Sequence, residues 1–429
     1  MKRWLILFCG ILANLCQGAA YASSIFAGPM LAHLGLMVEK NGVMVPDIPK
    51  WVVAFSINLA MLPIGMLLSG RIADQRGPRP VVLAGALLFG LGMFLTGYAS
   101  SIYMLYVTFG VMMGLGSGAA YGAIVATSVR WFPDRRGLAS GLAVGALGFG
   151  PAVIVPVADK LMTVNPDHPE IAILFTFKAL GILFLIIMGL ASIIMVNPKK
   201  GYLPAGYTPP ASTTQNAASS GKDITWQEML VKGRFWLLYV LYAFGAFSGL
   251  MIISQAKQIA MGLEPAFPDT AAAAKYAASV VSILALANAT GRILWGFISD
   301  WIGRIQALAL MFLITAVVMF LMPILTTGTM TLIIGAILIG ACYGGYLGIF
   351  PPICADSFGG KNMGVNYALL FSAFSVAAII GPTVGARISK ELGSYDMAFR
   401  LAGGLAALGV IIAVSMIISA KKPAEPETA

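Results

Sequence analysis

The chain has 429 residues, 59% of them hydrophobic and only 10% charged, with a mean hydropathy of +0.88. A water-soluble domain of that size carries roughly a quarter of its residues as charges, so a soluble globular protein is excluded and most of the surface must face lipid. The 27 Lys and Arg against 17 Asp and Glu give a net charge of +10, which on so apolar a chain points to basic loops held at one membrane face rather than to nucleic acid.

The amino terminus, Met1-Lys2-Arg3 followed by Trp4 to Ala13 with Ala-Tyr-Ala at 20–22, resembles a secretory signal peptide. The apolar run continues towards Leu36, however, and the stretch has a counterpart in mid-chain, so a retained first helix is predicted. A spanning helix needs roughly 20 mostly apolar residues. Twelve such segments follow in order: 4–34, 51–70, 80–98, 101–129, 137–158, 171–196, 235–260, 276–298, 305–325, 329–352, 364–386 and 397–420. The fold class is an all-α membrane protein of two pseudo-symmetric six-helix bundles, 1–196 and 235–420. Between them lies a linker, 197–234. Its Pro-, Gly- and Ser-rich part to Lys222 reads as flexible. Asp223 to Lys232, with Trp226, Met229 and Leu230 at helical spacing, reads as a short helix on the membrane surface. Residues 421–429 read as a disordered tail.

Placing both termini in the cytoplasm puts 17 basic residues inside and eight outside, which sets the orientation in a cell inner (plasma) membrane. Cys9, Cys16, Cys342 and Cys354 all lie in apolar stretches at no metal-ligand spacing and read as buried small hydrophobes. No metal or other cofactor is expected, nor a partner beyond the lipid bilayer and a small solute, with the chain acting as a monomer.

The two halves repeat each other. Gly70-Arg-Ile-Ala-Asp74-Gln-Arg-Gly77 recurs as Gly296-Phe-Ile-Ser-Asp300-Trp-Ile-Gly303, displaced by 226 residues. The same displacement carries Gly114, Gly118 and Gly122 onto Gly340, Gly344 and Gly348, and Phe132 onto Phe358. A shift of 231 carries Gly18 onto Gly249. Repeated bundles of this kind place the substrate near mid-membrane.

Gly70, Asp74, Gly77 and Arg79 together resemble the signature of the major facilitator superfamily. Asp74 with Arg79, and Asp300 with Arg304 in the second copy, suit charged latches at the cytoplasmic face; the spacing of Arg304, directly after Gly303, departs from the first copy. Arg292 lies roughly 12 Å inside Asp300 at 1.5 Å rise per residue. An arginine at such depth costs about 2.5–3.5 kcal/mol on insertion scales and ordinarily faces a bundle interior. No acidic residue falls at mid-span, and a guanidinium fits a carboxylate through two parallel hydrogen bonds. Asn288, one turn away on the same face, can hydrogen-bond the solute or orient the arginine. Tyr121 and Tyr346 fall at similar depth, and Tyr21, Tyr343 and Asn58 are further candidates to reach a solute. Lys178 reads as snorkelling to the outer surface, and His33 as a helix-end residue. No catalytic triad, phosphate-binding loop or zinc spacing is present, so no enzyme is expected.

Arg130-Trp-Phe-Pro-Asp-Arg-Arg-Gly-Leu-Ala-Ser-Gly141, Gly291-Arg-Ile-Leu-Trp-Gly-Phe-Ile-Ser-Asp300, Thr225-Trp-Gln-Glu-Met-Leu and Asn366-Tyr367 closely resemble the oxalate/formate antiporter and monocarboxylate transporter branch of that superfamily. The resemblance implies a secondary carrier of small monocarboxylates such as lactate or pyruvate, working by alternating access, with Arg292 binding the carboxylate and a proton as co-substrate. Two positions depart from the pattern. Phe374 stands where oxalate exchangers carry a lysine, so one cation serves the site and a monoanion fits better. Asn288 stands where animal lactate carriers have an aspartate, and an amide takes up no proton near neutral pH. Carboxylate exchange remains an alternative reading, and a non-transporting membrane sensor a third.

Overall fold

The computed structural model describes residues 2–40, 43–163, 169–199, 201–208, 223–263 and 266–421. Twelve helices among them are long and apolar enough to cross a membrane, the number predicted. The expected flexible stretch of the linker, over 209–222, and the expected tail from 422 onward lie outside the described residues.

In chain order the helices are α1 (Lys2–Gln17), α2 (Ser24–His33), α3 (Ile48–Arg76), α4 (Pro78–Thr96), α5 (Ile102–Leu105), α6 (Met113–Trp131), α7 (Arg136–Met162) and α8 (Pro169–Ile194). There follow α9 (Trp226–Leu230), α10 (Gly233–Met261), α11 (Thr270–Ile302), α12 (Arg304–Leu325), α13 (Thr329–Phe358), α14 (Met363–Leu392) and α15 (Asp396–Lys421). Gly77 and Gly303, the final glycines of the two motif copies, have φ of +88° and +96°. A side chain would be strained at those angles, so glycine there ends α3 and α11 and lets α4 and α12 begin at once.

Two predicted spans depart from a single regular helix. The segment expected over 4–34 breaks after α1 into a 3₁₀ turn at Gly18–Ala20 and resumes as α2. Gly18 packs on Gly150 of α7, where an added Cβ would lie 2.5 Å from the Gly150 Cα. Glycine permits that crossing and weakens the helix where it occurs. The segment expected over 101–129 carries a π turn, Tyr106–Met112, between α5 and α6. The π turn's Phe109 carbonyl accepts a hydrogen bond from Asn58 Nδ2 at 2.8 Å. A hairpin of β1 (Met37–Lys40) and β2 (Val43–Pro46), with Val38 opposite Val45, joins α2 to α3. Strands this short left no periodicity to read.

The chain divides into two compact units. The first comprises Met1–Trp131, Ala146–Lys200 and Tyr367–Leu369; the second comprises Phe132–Gly145, Gly201–Asn366 and Leu370–Ala429, so the first turns of α7 group with the second. In the first unit α6 packs on α3 through the predicted glycines. A Cβ on Gly114 would sit 2.5 Å from the Asn58 carbonyl, one on Gly118 would collide with the Leu62 carbonyl, and Gly122 faces the Met66 side chain. A buried polar cluster ties α1 to α6: Gln17 Nε2 donates to Asn14 Oδ1 at 2.9 Å, and Ser117 Oγ donates to Gln17 Oε1 at 3.0 Å.

In the second unit α13 lies on α11 in the same manner. Gly340, Gly344 and Gly348 face the backbone carbonyls of Leu284, Asn288 and Arg292, with no room for a Cβ at any of the three. The end of the linker docks on the turn between α13 and α14. Ile224 N–H donates to the Phe358 carbonyl at 3.2 Å, and Asn362 Nδ2 donates to the Ile224 carbonyl at 2.9 Å. Asp223 Oδ1 accepts from the Lys361 N–H at 2.9 Å. A capping box of Thr225 and Glu228 then starts α9, whose Met229 is buried while Trp226 stays exposed.

Candidate substrate-binding site

Arg292 sits within α11, 4% exposed. Its backbone is fixed from two sides: Gly348 of α13 lies against its carbonyl, and so does Gly141 of α7, whose added Cβ would stand 2.5 Å away. Only glycine allows both helices so near, so the backbone that carries the guanidinium is held from both sides. Nε donates to Asn288 Oδ1 at 3.3 Å, and Nη1 donates to the Val144 carbonyl at 3.0 Å. Among the described residues no carboxylate pairs with Arg292, and its Nη2 has no hydrogen-bond partner. Burying a cation without a counter-charge is costly. The two neutral acceptors offset part of that cost and leave an edge of the fork for an anion.

The other candidates are less uniform. Asn288, partly buried, turns its amide oxygen to the Arg292 Nε. Tyr346 is 1% exposed, its hydroxyl is hydrogen-bonded to Thr315 Oγ1 at 3.0 Å, and its ring packs on Phe312 and over Gly245. Tyr343 is buried with its ring over Gly249. Phe374 stacks on Phe371 at 5.0 Å and leans towards Tyr242 at 6.4 Å, forming one wall of an aromatic cluster. In the first unit Tyr121 is buried, Tyr21 is 39% exposed with its edge towards Phe55, and Asn58 spends its amide on the π turn. The structure thus brings Asn288 to Arg292 and gives Tyr346 and Asn58 protein partners of their own. Lys178 rests its ammonium 3.8 Å from the Tyr98 ring centroid.

The charged residues form two clusters. At the end of α3, Asp74 pairs with Arg130 at 2.6 Å, and Arg130 also donates to Asn197 Oδ1 at 3.2 Å. Arg79, the expected partner, is exposed and makes no ion pair among the described residues. At the end of α11, Asp300 pairs with Arg304 at 2.6 Å, as the sequence suggests. It also accepts the backbone N–H groups of Gly137 and Leu138, each at 2.9 Å. That caps the N-terminus of α7, where an anion is favoured. Arg304 reaches on to Asp356 at 3.1 Å, and Arg136 completes the group at 2.5 Å from Asp356.

Arg130, Arg136, Asp356 and the Val144 carbonyl were not singled out from the sequence. For two of them a signal existed, because the 226-residue shift carries Arg130 onto Asp356. The first unit therefore pairs Asp74 with Arg130 directly. The second has acids at both equivalent positions, and Arg304 bridges them. The displaced spacing of Arg304 meets that need. A backbone carbonyl such as that of Val144 has no sequence signature at all.

A family model described as Major Facilitator Superfamily matches residues 6–331 and 259–429. The MFS-type transporter YhjX of Escherichia coli K12 is 29% identical over 380 residues, covering 88% of this chain and 86% of its own. The oxalate:formate antiporter of Oxalobacter formigenes is 28% identical over 403 residues, 93% of this chain and 88% of its own. Monocarboxylate transporter 12-B of Danio rerio is 26% identical over 356 residues, 80% and 72%. Among solved structures, the transporter FucP in an outward conformation superposes with a TM-score of 0.68 at 14% identity, covering 97% of this chain and 99% of that one. That likeness shows the shared fold.

Proposed function

We propose, for a chain that belongs to the Major Facilitator Superfamily, a secondary carrier in the inner membrane, both termini cytoplasmic, that moves small monocarboxylates of the lactate or pyruvate kind by alternating access. One observation carries this reading: the buried guanidinium of Arg292 has a carbonyl and an amide oxygen for partners and, among the described residues, no acid. A monocarboxylate supplies the missing charge, and the phenyl ring at Phe374 in place of a second cation favours a monoanion with a small apolar tail. Pairing makes the loaded site neutral, which lowers the barrier to enclosing it. Asp74 with Arg130, and Asp300 with Arg304, act as the charged latches that open and close. A proton is the co-substrate that the family resemblance implies.

Likeness to an oxalate:formate antiporter supports a second reading, carboxylate exchange. Asn288, an amide, carries no proton itself, so in either reading a coupled proton would have to be carried elsewhere.

The test is uptake of labelled lactate into proteoliposomes. The wild-type protein should accumulate label above protein-free vesicles. The Arg292→Ala protein should lose about 30-fold or more of that rate, the effect of about 2 kcal/mol or more from a charge-assisted hydrogen-bond pair. Wild-type uptake by the alanine variant would overturn the assignment.

A further inference from the structure

An anion carrier with a fixed cation in its site faces a problem on the return half of its cycle. Once the anion has left, the guanidinium must be enclosed alone, and a carrier unable to do that is confined to exchange, since only loaded forms change sides. Here the protein itself offers acceptors that can stand in for the substrate. Arg292 Nη1 donates to the Val144 carbonyl at 3.0 Å, and Nε donates to Asn288 Oδ1 at 3.3 Å, with the residue 4% exposed. Both acceptors belong to the same compact unit as the arginine. Asn288 is anchored in its own right, because its backbone carbonyl lies against Gly344 without room for a Cβ.

We propose that Asn288 and the Val144 carbonyl serve as an internal surrogate for the substrate carboxylate, so that the empty carrier can change sides and the protein catalyses net flux as well as exchange. Asn288 is in this sense a positioning residue that sets the mode of transport. Its amide oxygen is strong enough an acceptor to keep a buried guanidinium hydrogen-bonded, and, being neutral, weak enough for a carboxylate to displace it. An acid in that place would hold the arginine too well. An apolar residue would leave Nε without a partner. The first unit gives the contrast: the positions equivalent to Asn288 and Arg292 are Leu62 and Met66, facing Gly118 and Gly122 as the former pair faces Gly344 and Gly348. A polar side chain was needed only where the cation is.

This inference rests on the monocarboxylate reading, and one experiment separates the two. Proteoliposomes are loaded with labelled lactate, and label loss is followed into lactate-free buffer (net efflux) and into buffer with unlabelled lactate (exchange). The wild-type protein should show net efflux within about threefold of exchange. In Asn288→Leu and Asn288→Ala the ratio of net efflux to exchange should fall about tenfold, the cost of one lost charge-assisted hydrogen bond, and Asn288→Gln should restore it. Wild-type protein that exchanges lactate without net efflux would overturn the surrogate and leave the substrate reading intact. So would leucine and alanine variants that keep the wild-type ratio. If neither efflux nor exchange of lactate or any other small monocarboxylate exceeds the protein-free rate, both inferences fall together.

Discussion

Arg292 occupies in the second copy of the repeat the position that Met66 occupies in the first, 226 residues earlier, and each faces the third glycine of a stripe, Gly348 and Gly122 respectively. The packing frame is therefore common to both units, and the charge is an addition to one. Converting Arg292→Met should leave the frame undisturbed, because methionine of similar length removes a buried cation that pairs with no acid among the described residues. The unfolding temperature of the variant in detergent should equal or exceed that of the wild type, and added lactate should no longer raise it. A marked loss of stability would show that the arginine holds the helices together.

Asn288→Asp should make position 288 able to bind a proton. Its carboxylate would compete with that of the substrate for the single guanidinium, so lactate should bind best when position 288 is protonated, and the lactate KM should fall by up to about tenfold for each unit of acidification. At neutral pH the KM should exceed that of the wild type. A KM profile parallel to the wild type from pH 5 to pH 8 would show that position 288 does not reach the bound anion.

Gly344→Ala and Gly118→Ala both place a Cβ against a backbone carbonyl, that of Asn288 and of Leu62 respectively. Backbone cannot step aside as a flexible side chain can, so each should cost roughly 1–3 kcal/mol. Gly404→Ala, with nothing within 4 Å of its new methyl, should stay within about 1 kcal/mol of the wild type. Thermal melts of the three purified variants would check the contrast. Equal melts would mean that the helices separate readily to admit a methyl.

The bridged acids at the end of α11 make a reciprocal test possible. Arg304→Ala should leave Asp300 and Asp356 without the cation between them and slow transport sharply. Adding Asp356→Arg to that variant offers Asp300 an arginine as Arg130 meets Asp74, and takes from Arg136 the acid with which it pairs. The double variant should recover part of the lost rate, whereas Asp356→Arg alone should not improve on the wild type. No recovery in the double variant would argue that Arg304 acts through Ser299, to which its Nη1 donates at 2.7 Å, and not through the acids.

Much of this was legible because membrane helices announce themselves by length. Twelve spans, the two copies and the glycine stripes could all be read, since each leaves a length, a repeat or a spacing in the sequence itself. Arg292 stood out for the same reason: a charge at that depth needs a cause. What escaped reading depended on backbone and on partners. The break at Gly18 and the π turn at Tyr106–Met112 are set by crossings with helices distant in sequence. Arg79 lies beside the motif on the chain, but Arg130 lies beside Asp74 in space. Tyr346 looked available by depth alone, and its hydroxyl is already hydrogen-bonded to Thr315.

The three glycines that seat α13 on α11 also restrict how the carrier can move. Where ridges of side chains interlock, neighbouring helices can slip by trading one rotamer for another. Where peptide groups touch directly, as at Gly340, Gly344 and Gly348, there is nothing soft to trade. The two helices must travel as one beam, and the guanidinium rides on it like a hook fixed to a lever. Any motion that displaces Arg292 has to come from a bend or pivot outside this pair of helices.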